Sequence, residues 1–391
     1  MRVATVADVH VANHRRHGGE VVAGINRRGQ LTGAVFSRAV SRARMDGANL
    51  FVCAGDLFDS LHVPPQIVAM AQAALSKEGA NEDYGPGDHW GQLVLGNHEH
   101  GSETQGDHAL GPMAPVADVV DRPKVLSQDG AAVVLVPYAP GKAEDVIRAA
   151  LAYTDVGAGW PEGALLVLHM GIKDARTPPW LAGAEGAIDV NTLAEIANEW
   201  GFSSVLAGDW HEHRSWRFDN GLEIMQVGAL CPTGWDNPST VRQLDPGRDP
   251  YGSLITWDSA SAPGERLRRE VIHGPRFVKT ANVRDAITAA SDTHRGSGNQ
   301  VYVQIVASPD AVAAVNAAFA ESDAHPAGYE VVVDSEDVRR RIESAAMSAR
   351  DAETVERAVA EYVGMAPFEG DPDRDEVLRL VRHYVTAEGV V

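Results

Sequence analysis

Short, near-continuous apolar runs recur along the chain at Val3–Ala7, Leu50–Ala54, Gln92–Leu95, Ala132–Val136, Leu165–Leu168, Ser204–Ala207, Glu223–Val227 and Ser253–Trp257. Runs this short, without polar alternation, predict strands covered on both faces. Between them the apolar period lengthens to that of a helix. Leu31–Met45 places Val35, Ala39 and Ala43 on one face, and Pro64–Leu75 opens with proline at a first helical turn. Lys142–Tyr153 and Val190–Trp200 read as further helices, whereas Gly79–Trp90 and Asp236–Pro250 are rich in Gly, Asp, Asn and Pro and read as loops. Strands alternating with helices predict an α/β domain, with ligands gathered at the C-terminal ends of the strands.

Near Gly274-Pro275 the pattern changes. From Arg276 onward it predicts a strand (Phe277–Thr280), a helix (Val283–Ser291), a Gly/Ser turn, a strand (Gln300–Ala307), a helix (Asp310–Phe319) and a strand (Tyr329–Asp334). Two amphipathic stretches follow. Asp351–Val363 carries Val355, Val359 and Tyr362-Val363 on one face, and Asp373–Ala387 carries Val377, Leu380, Val381 and Tyr384. The expected organisation is therefore a large domain over 1–275, a small α/β domain over 276–342 and a helical tail over 343–391. The tail stripes suit packing either on their own domain or on a partner.

Composition narrows the classes. With 391 residues, 44% apolar and 23% charged, the chain reads as a globular protein with room for more than one domain. No stretch is apolar enough to span a membrane. Met1-Arg2 runs straight into the first strand without the layout of a signal peptide, and two cysteines, Cys53 and Cys231, imply no disulfide framework, so a cytoplasmic location is expected. A net charge of −20 argues against holding nucleic acid by bulk electrostatics, although bound cations and local arginines change the field at a site.

Five of the apolar runs end in a small polar motif: Asp8-Val-His10, Gly55-Asp56, Gly96-Asn97-His98-Glu99, His169 and Gly208-Asp209-Trp210-His211. Any one of these has a plain reading as a turn or helix cap. In series they suggest a metal centre along one sheet edge, since carboxylate, imidazole and amide oxygen together suit hard-to-borderline divalent cations. A metal pair needs one bridging carboxylate and separate ligands for each ion, and it can clamp a phosphate and generate hydroxide from a bridging water as the nucleophile. Asp56 is the natural bridge. Asp8 and His10 can chelate one ion and Asn97 the other, with His169, Asp209 and His211 completing the shells. His213 stands near enough to His211 to be its alternative. His98, next to a ligand, would face substrate and stabilise the developing charge or protonate the leaving oxygen, with Glu99 holding its tautomer. Arg15 and Arg16, within His14-Arg-Arg-His17, and Arg214 and Arg217 after His211 could grip phosphates or simply be solvated. Arg339-Arg340-Arg341 forms a further basic patch.

The ordered set resembles the calcineurin-like metallophosphoesterase superfamily, whose pattern is D-x-H, GD, GNH[DE], a lone H and GHxH. Within it, Gly55-Asp56-Leu57-Phe58-Asp59 followed by Pro64-Pro65 and a helix resembles the nuclease subunit of SbcCD-type repair complexes and its phage relatives, as does Pro275-Arg276-Phe277 with the small module after it. The resemblance implies a β-sandwich flanked by helices, a capping domain, two Mn²⁺ ions (with Mg²⁺, Zn²⁺ or Fe²⁺ as alternatives), phosphodiester hydrolysis on DNA, a coiled-coil ATPase partner akin to SbcC, and dimerisation of the catalytic domain. By position it assigns Asp8, His10, Asp56 and His211 to one ion, Asp56, Asn97, His169 and Asp209 to the other, and His98 to catalysis. Two departures stand out: Asp209 takes the place of the first His of GHxH, and Asp59 occupies a position where some relatives carry a substrate-contacting His. Two rival readings remain: a phosphoesterase acting on a small phosphodiester or phosphomonoester, and a metal-binding subunit whose Asp209 has cost it turnover.

Overall fold

The computed structural model describes residues 1–15, 17–76, 89–101, 107–128, 130–154, 163–177, 182–232, 234, 252–291, 301–322, 326, 328–334 and 379. Two six-stranded sheets carry the first compact unit, Met1–Arg276. One runs in the order Leu267–Ile272, Gly252–Asp258, Arg2–Val6, Leu50–Ala54, Gly91–Val94, Asp118–Val120. The other runs Arg214–Arg217, Glu223–Gln226, Phe202–Gly208, Ala164–His169, Ala131–Val136, Lys124–Gln128. In each, four neighbouring strands are parallel and the remaining pairings are antiparallel.

The apolar runs lack alternation because both faces of each strand are covered. Leu50, Val52 and Ala54 join Val133, Leu135, Leu165 and Val167 in the cluster between the sheets. Phe51 and Cys53, from the same strand, point the other way, into a cluster with Phe36, Val40 and Ile67 of the helices Arg27–Met45 and Pro65–Leu75. The second sheet repeats the plan: Val134 and Leu166 pack on Ile147, Leu193 and Ile196 of the helices Ala143–Tyr153 and Val190–Glu199. The result is a helix–sheet–sheet–helix sandwich, as expected, and burying each such side chain contributes about 1.5–3 kcal/mol.

All eight strands expected here are present within a residue or two. The additional ones are short or lie at edges: Asp118–Val120, Lys124–Gln128, Arg214–Arg217 and Leu267–Ile272 in the main sheets, Gly171–Lys173 paired with Ala187–Asp189, and the hairpin Val21–Val22 with Ile25–Asn26. They mix charged and apolar residues because one or both faces meet solvent. The first helix starts at Arg27, four residues before its apolar stripe, because the Asn26 side chain caps it by accepting from Gly29 N–H at 2.9 Å.

The second unit has a three-stranded sheet in the order Arg276–Thr280, Val301–Ala307, Gly328–Val333. The helices Val283–Ser291 and Val312–Ala320 cover it, and Ala286, Ala290, Val315 and Phe319 pack on Val303 and Ile305. Apart from residue 379, which is helical, the expected tail helices lie outside the described residues, as does Arg339-Arg340-Arg341. Among the described residues, no helix is long and apolar enough to cross a membrane.

Candidate metal centre

The strands Arg2–Val6, Leu50–Ala54, Gly91–Val94, Ala164–His169 and Phe202–Gly208 all point their C-terminal ends to one side of the sandwich, three from one sheet and two from the other. The chain must turn sharply there. Asp8 (φ 50°), His10 (φ 50°), Asp56 (φ 52°) and Asp209 (φ 89°) all adopt the left-handed region. For a residue with a Cβ this costs roughly 1–2 kcal/mol, and such outliers concentrate at functional sites. Only His17 and Ala23 share it among the other described non-glycine residues.

Two glycines explain why the motifs need them. A Cβ on Gly96 would lie 2.0 Å from Asp56 Oδ1, and one on Gly55, itself at φ +93°, would lie 1.9 Å from His169 Nδ1. The ligand loops are packed backbone against side chain, with no space for a methyl group.

Ligand atoms of Asp8, His10 and His211, of Asp8, Asp56 and His169, and of His10, Asp56 and His98 come together within 4.8 Å in each set. The Nε2 atoms of His10 and His211 face each other at 3.1 Å, and Asp8 Oδ1 is 4.0 Å from His211 Nε2. On the other side, His169 Nε2 is 2.9 Å from Asn97 Oδ1 and 3.5 Å from Asp56 Oδ2. His169 Nδ1–H donates to Ala54 O at 2.8 Å, which turns the Nε2 lone pair toward the centre. Asp56 Oδ2 is also 3.9 Å from His10 Nε2, so Asp56 is common to both sides, as a bridging carboxylate must be.

The electrostatics are those of a site arranged for cations. Burial pushes the Asp8 carboxyl up to about 7, with Asp56 and Asp209 adding to the effect against His169 and His10. Burial also opposes ionisation of Asp56, but His169 and His10 outweigh it and hold Asp56 well below the usual carboxylate range. For His169 burial favours the neutral ring, yet Asp56 and Asp8 raise it to about 10. Burial, reinforced by His10, brings His211 down to about 3. Three carboxylates and three imidazoles with so little water are costly unless positive charge compensates them.

The remaining expected residues fall as follows. Asp209 N–H donates to Asp8 Oδ1 at 2.9 Å. The Asp209 carboxylate accepts from Gly171 N–H and is close enough to His169 and Asp56 to sense both, but it belongs to none of the three ligand groups. His98 is half exposed, and its Nδ1–H donates to Asp59 O at 3.2 Å. Asp59 Oδ1 lies 3.9 Å from that nitrogen and 3.1 Å from His10 Nδ1, so Asp59 supports two imidazoles. Glu99 is not beside His98. Its Oε1 accepts from Phe58 N–H at 2.9 Å and its Oε2 from Gly96 N–H at 3.1 Å, tying the Asp56 loop to the Asn97 loop. Arg214, read as either a phosphate contact or a solvated residue, is neither: it is buried between Glu212 Oε2 (2.7 Å) and Asp174 Oδ1 (3.0 Å). Arg15 is exposed, and Arg16 lies outside the described residues. His213 Nδ1–H donates to Val227 O at 3.2 Å and joins no ligand group.

One positioning residue was not anticipated. Buried Gln226 accepts from Ile172 N–H at 2.9 Å and donates to Gly208 O at 2.8 Å, holding the strand end that bears Asp209. Its only trace in the sequence is an amide closing an apolar strand.

Oxygen and imidazole donors around a shared carboxylate fit a pair of divalent cations. Asp8, His10, Asp56 and His211 would hold one, and Asp56, Asn97 and His169, with Asp209 adjacent, the other. No curated protein matches the chain by sequence. Among solved structures it is similar to a Staphylococcus aureus protein bound to alpha-ketoglutarate (12% identity, TM-score 0.40, 69% of this chain and 52% of that one). It is also similar to phosphopantetheinyl hydrolase from Mycobacterium tuberculosis (13%, 0.39, 68% and 95%). A third is a dimetal phosphatase from Danio rerio (12%, 0.37, 70% and 99%). The chain spans about half the length of the first of these. Residues 1–213 match the calcineurin-like phosphoesterase family, a span that holds every proposed ligand, and the chain belongs to that family: a metal-dependent phosphoesterase with a dinuclear site.

Proposed function

We propose that the chain hydrolyses phosphodiester bonds in DNA with two Mn²⁺ ions, as the nuclease subunit of an SbcCD-like complex in the cytoplasm. Its partner would be a coiled-coil ATPase, and its catalytic domain would dimerise. The observation that carries the reaction class is the sharing of Asp56 between two ligand sets that face each other across the strand ends. The DNA reading is supported by Gly55–Asp59 running into Pro64-Pro65 and a helix, and by a second unit with a three-stranded sheet and two helices, the form expected of a capping domain.

Cations bound there supply Lewis-acid activation of water and of the phosphoryl oxygen. The protein's own residues do the rest. His98, open to solvent at the edge of the centre, presents Nε2 to substrate because Nδ1–H is held by Asp59 O. That nitrogen can stabilise charge on the phosphoryl oxygens or protonate the departing oxygen. Asp59 Oδ1, in charge contact with His10 Nδ1 at 3.1 Å though outside hydrogen-bond geometry, favours a proton on Nδ1, which leaves Nε2 for the metal side.

A second reading keeps the chemistry and changes the substrate to a small phosphodiester. The net charge of −20 favours it, as does the commitment of Arg214 and of buried Arg28 to the fold. Linear double-stranded DNA and an aryl phosphodiester, each offered with Mn²⁺, Mg²⁺ or chelator, separate the two. Mn²⁺-dependent cleavage of DNA that Asp56→Ala lacks is the expected result. Turnover of the aryl ester alone, with and without the ATPase, would overturn the DNA reading.

A further inference from the structure

A cavity of about 710 Å³ shares the Gly96–Glu99 ligand loop with the metal centre, its lining including Leu95 and His100. It is built at the C-terminal ends of three strands: Leu95 follows Gly91–Val94, Asp121 follows Asp118–Val120, and Tyr138 follows Ala131–Val136. The metal centre uses the same edge of the sandwich. Leu95 immediately precedes Gly96-Asn97, and His100 stands two residues after His98, so one loop presents ligands to the metals and walls to the cavity.

This wall is fixed. Tyr138 N–H donates to Leu95 O at 2.8 Å, Ala109 N–H to Glu99 O at 3.0 Å and Gly101 N–H to Asp107 O at 2.9 Å. His100 and His108 face each other as an antiparallel bridge pair, and the His100 ring meets Tyr138 edge-on at 5.6 Å between centroids.

The lining has two characters. One side is apolar, with Val146, Ala149 and Ala150 of the helix Ala143–Tyr153 and the exposed ring of Tyr153 at the rim. The other carries rings and edge-bonding groups. His108 is more than nine-tenths buried, its Nδ1 has no hydrogen-bond partner among the described residues, and its Nε2 is 3.9 Å from Asp121 Oδ2. A buried nitrogen without a partner is costly unless a ligand or water completes it. Arg122 lines the cavity beside Asp107 and Asp121, so the lining carries no strong net pull for an anion, and an alkyl chain would leave the buried His108 nitrogen unmet. A flat heteroaromatic ring with donors and acceptors on its edge satisfies both sides, and the volume lies within the usual range for small-molecule pockets.

We propose that this cavity holds a nucleobase of the substrate while the phosphodiester attached to that nucleoside lies on the metals. The inference rests on the phosphodiesterase reading and names what that site's substrate carries. A base would stack on the Tyr138 ring and meet the His100 ring edge-on, with its own edge toward His108 and Asp121.

The test compares two esters with the same leaving group, the 4-nitrophenyl esters of thymidine 5′-monophosphate and of methyl phosphate. Both are assayed with Mn²⁺ on the full chain and on Ala149→Phe, which fills the cavity from the helix side. The wild type is expected to prefer the nucleoside ester roughly tenfold or more in kcat/KM, the scale that base–aromatic contacts supply. In Ala149→Phe that preference should fall to near unity while the methyl ester keeps its rate. Tyr138→Ala, which removes a stacking face without filling space, should lower the preference as well, and circular dichroism checks that both variants fold. An unchanged preference in both folded variants, or equal losses on the two esters, would overturn the proposal. If neither ester turns over, the phosphodiesterase reading has failed, and saturation-transfer NMR with thymidine decides the cavity separately. Contact present in wild type and lost in Ala149→Phe supports it, and no contact in wild type overturns it.

Discussion

Glu99 offers the sharpest test of how the centre is held together, because its observed partners differ from the role expected from its place beside His98. Its side chain is fully buried and accepts from two backbone N–H groups, Phe58 at 2.9 Å and Gly96 at 3.1 Å, in the two loops that carry Asp56 and Asn97. Glu99→Ala would leave both donors buried without an acceptor, at about 1–3 kcal/mol each, so a loss of roughly 2–6 kcal/mol is expected. Glu99→Gln retains one acceptor and sets an amide NH₂ against the other N–H, which halves the loss. Denaturant unfolding of the metal-free chain reads the stability term. Calorimetric Mn²⁺ titration reads the second consequence, a weaker site, because the two loops are no longer fixed to one another. The reasoning is wrong if Glu99→Gln matches wild type in both measurements and alters only the pH dependence of turnover. That outcome would return Glu99 to orienting His98.

Other consequences follow from the same geometry. His98→Asn should lower kcat by roughly 10²–10⁴ while leaving Mn²⁺ affinity intact, since the ring faces substrate; a full-rate variant with metals bound would remove His98 from the chemistry. Gly96→Ala should abolish tight metal binding, because its Cβ would fall 2.0 Å from Asp56 Oδ1, and a normal calorimetric isotherm would contradict the close packing. Without metal, stability should fall as pH rises above 6.5. The folded chain keeps protons on Asp8 up to about 7, on Glu99 up to about 8 and on His169 up to about 10, whereas the unfolded chain releases them near 3.8, 4.5 and 6.5. His211, at about 3 when folded, pulls the other way only below 6.5. At up to about 1.4 kcal/mol per unit for each group, a loss of about 2 kcal/mol between pH 7 and 8 is expected in chemical unfolding. Saturating Mn²⁺ should flatten or invert that slope, and a metal-free chain more stable at pH 8 than at pH 7 would count against the buried-charge picture.

Much of the first unit was legible because its physics is repetitive. Strands between two apolar layers must be apolar throughout, and helices covering only the outer faces must be amphipathic. Both patterns survive in the sequence at Leu50–Ala54 and at Arg27–Met45. Edge strands such as Arg214–Arg217 and Leu267–Ile272 were not legible, because a strand with one partner and a wet face needs no distinctive composition. The ligands were legible for a different reason. A Cβ at Gly55 or Gly96 would collide with the neighbouring ligand loop, so glycine precedes Asp56 and Asn97.

The supporting residues were not legible, and the reason is geometric. Arg214 and Glu99 carry charges that read as functional in one dimension, yet each is spent on contacts from segments far away in the chain, Asp174 for one and Phe58 for the other. Asp59 gains its position beside both His10 and His98 only once two strands pair. The same holds for Asp209. Its backbone N–H meets Asp8 and its carboxylate meets Gly171 N–H, so the carboxylate stands at the margin of the ligand sets and not among them. A histidine at this position would place its ring nitrogen farther from the backbone than a carboxylate reaches. Asp209→His is therefore expected to tighten the cation site formed by Asp56, Asn97 and His169, read as a lower Kd for the weaker of two Mn²⁺ in calorimetry. An unchanged second Kd would mean that Gly171 N–H, and not side-chain length, decides what this position can hold.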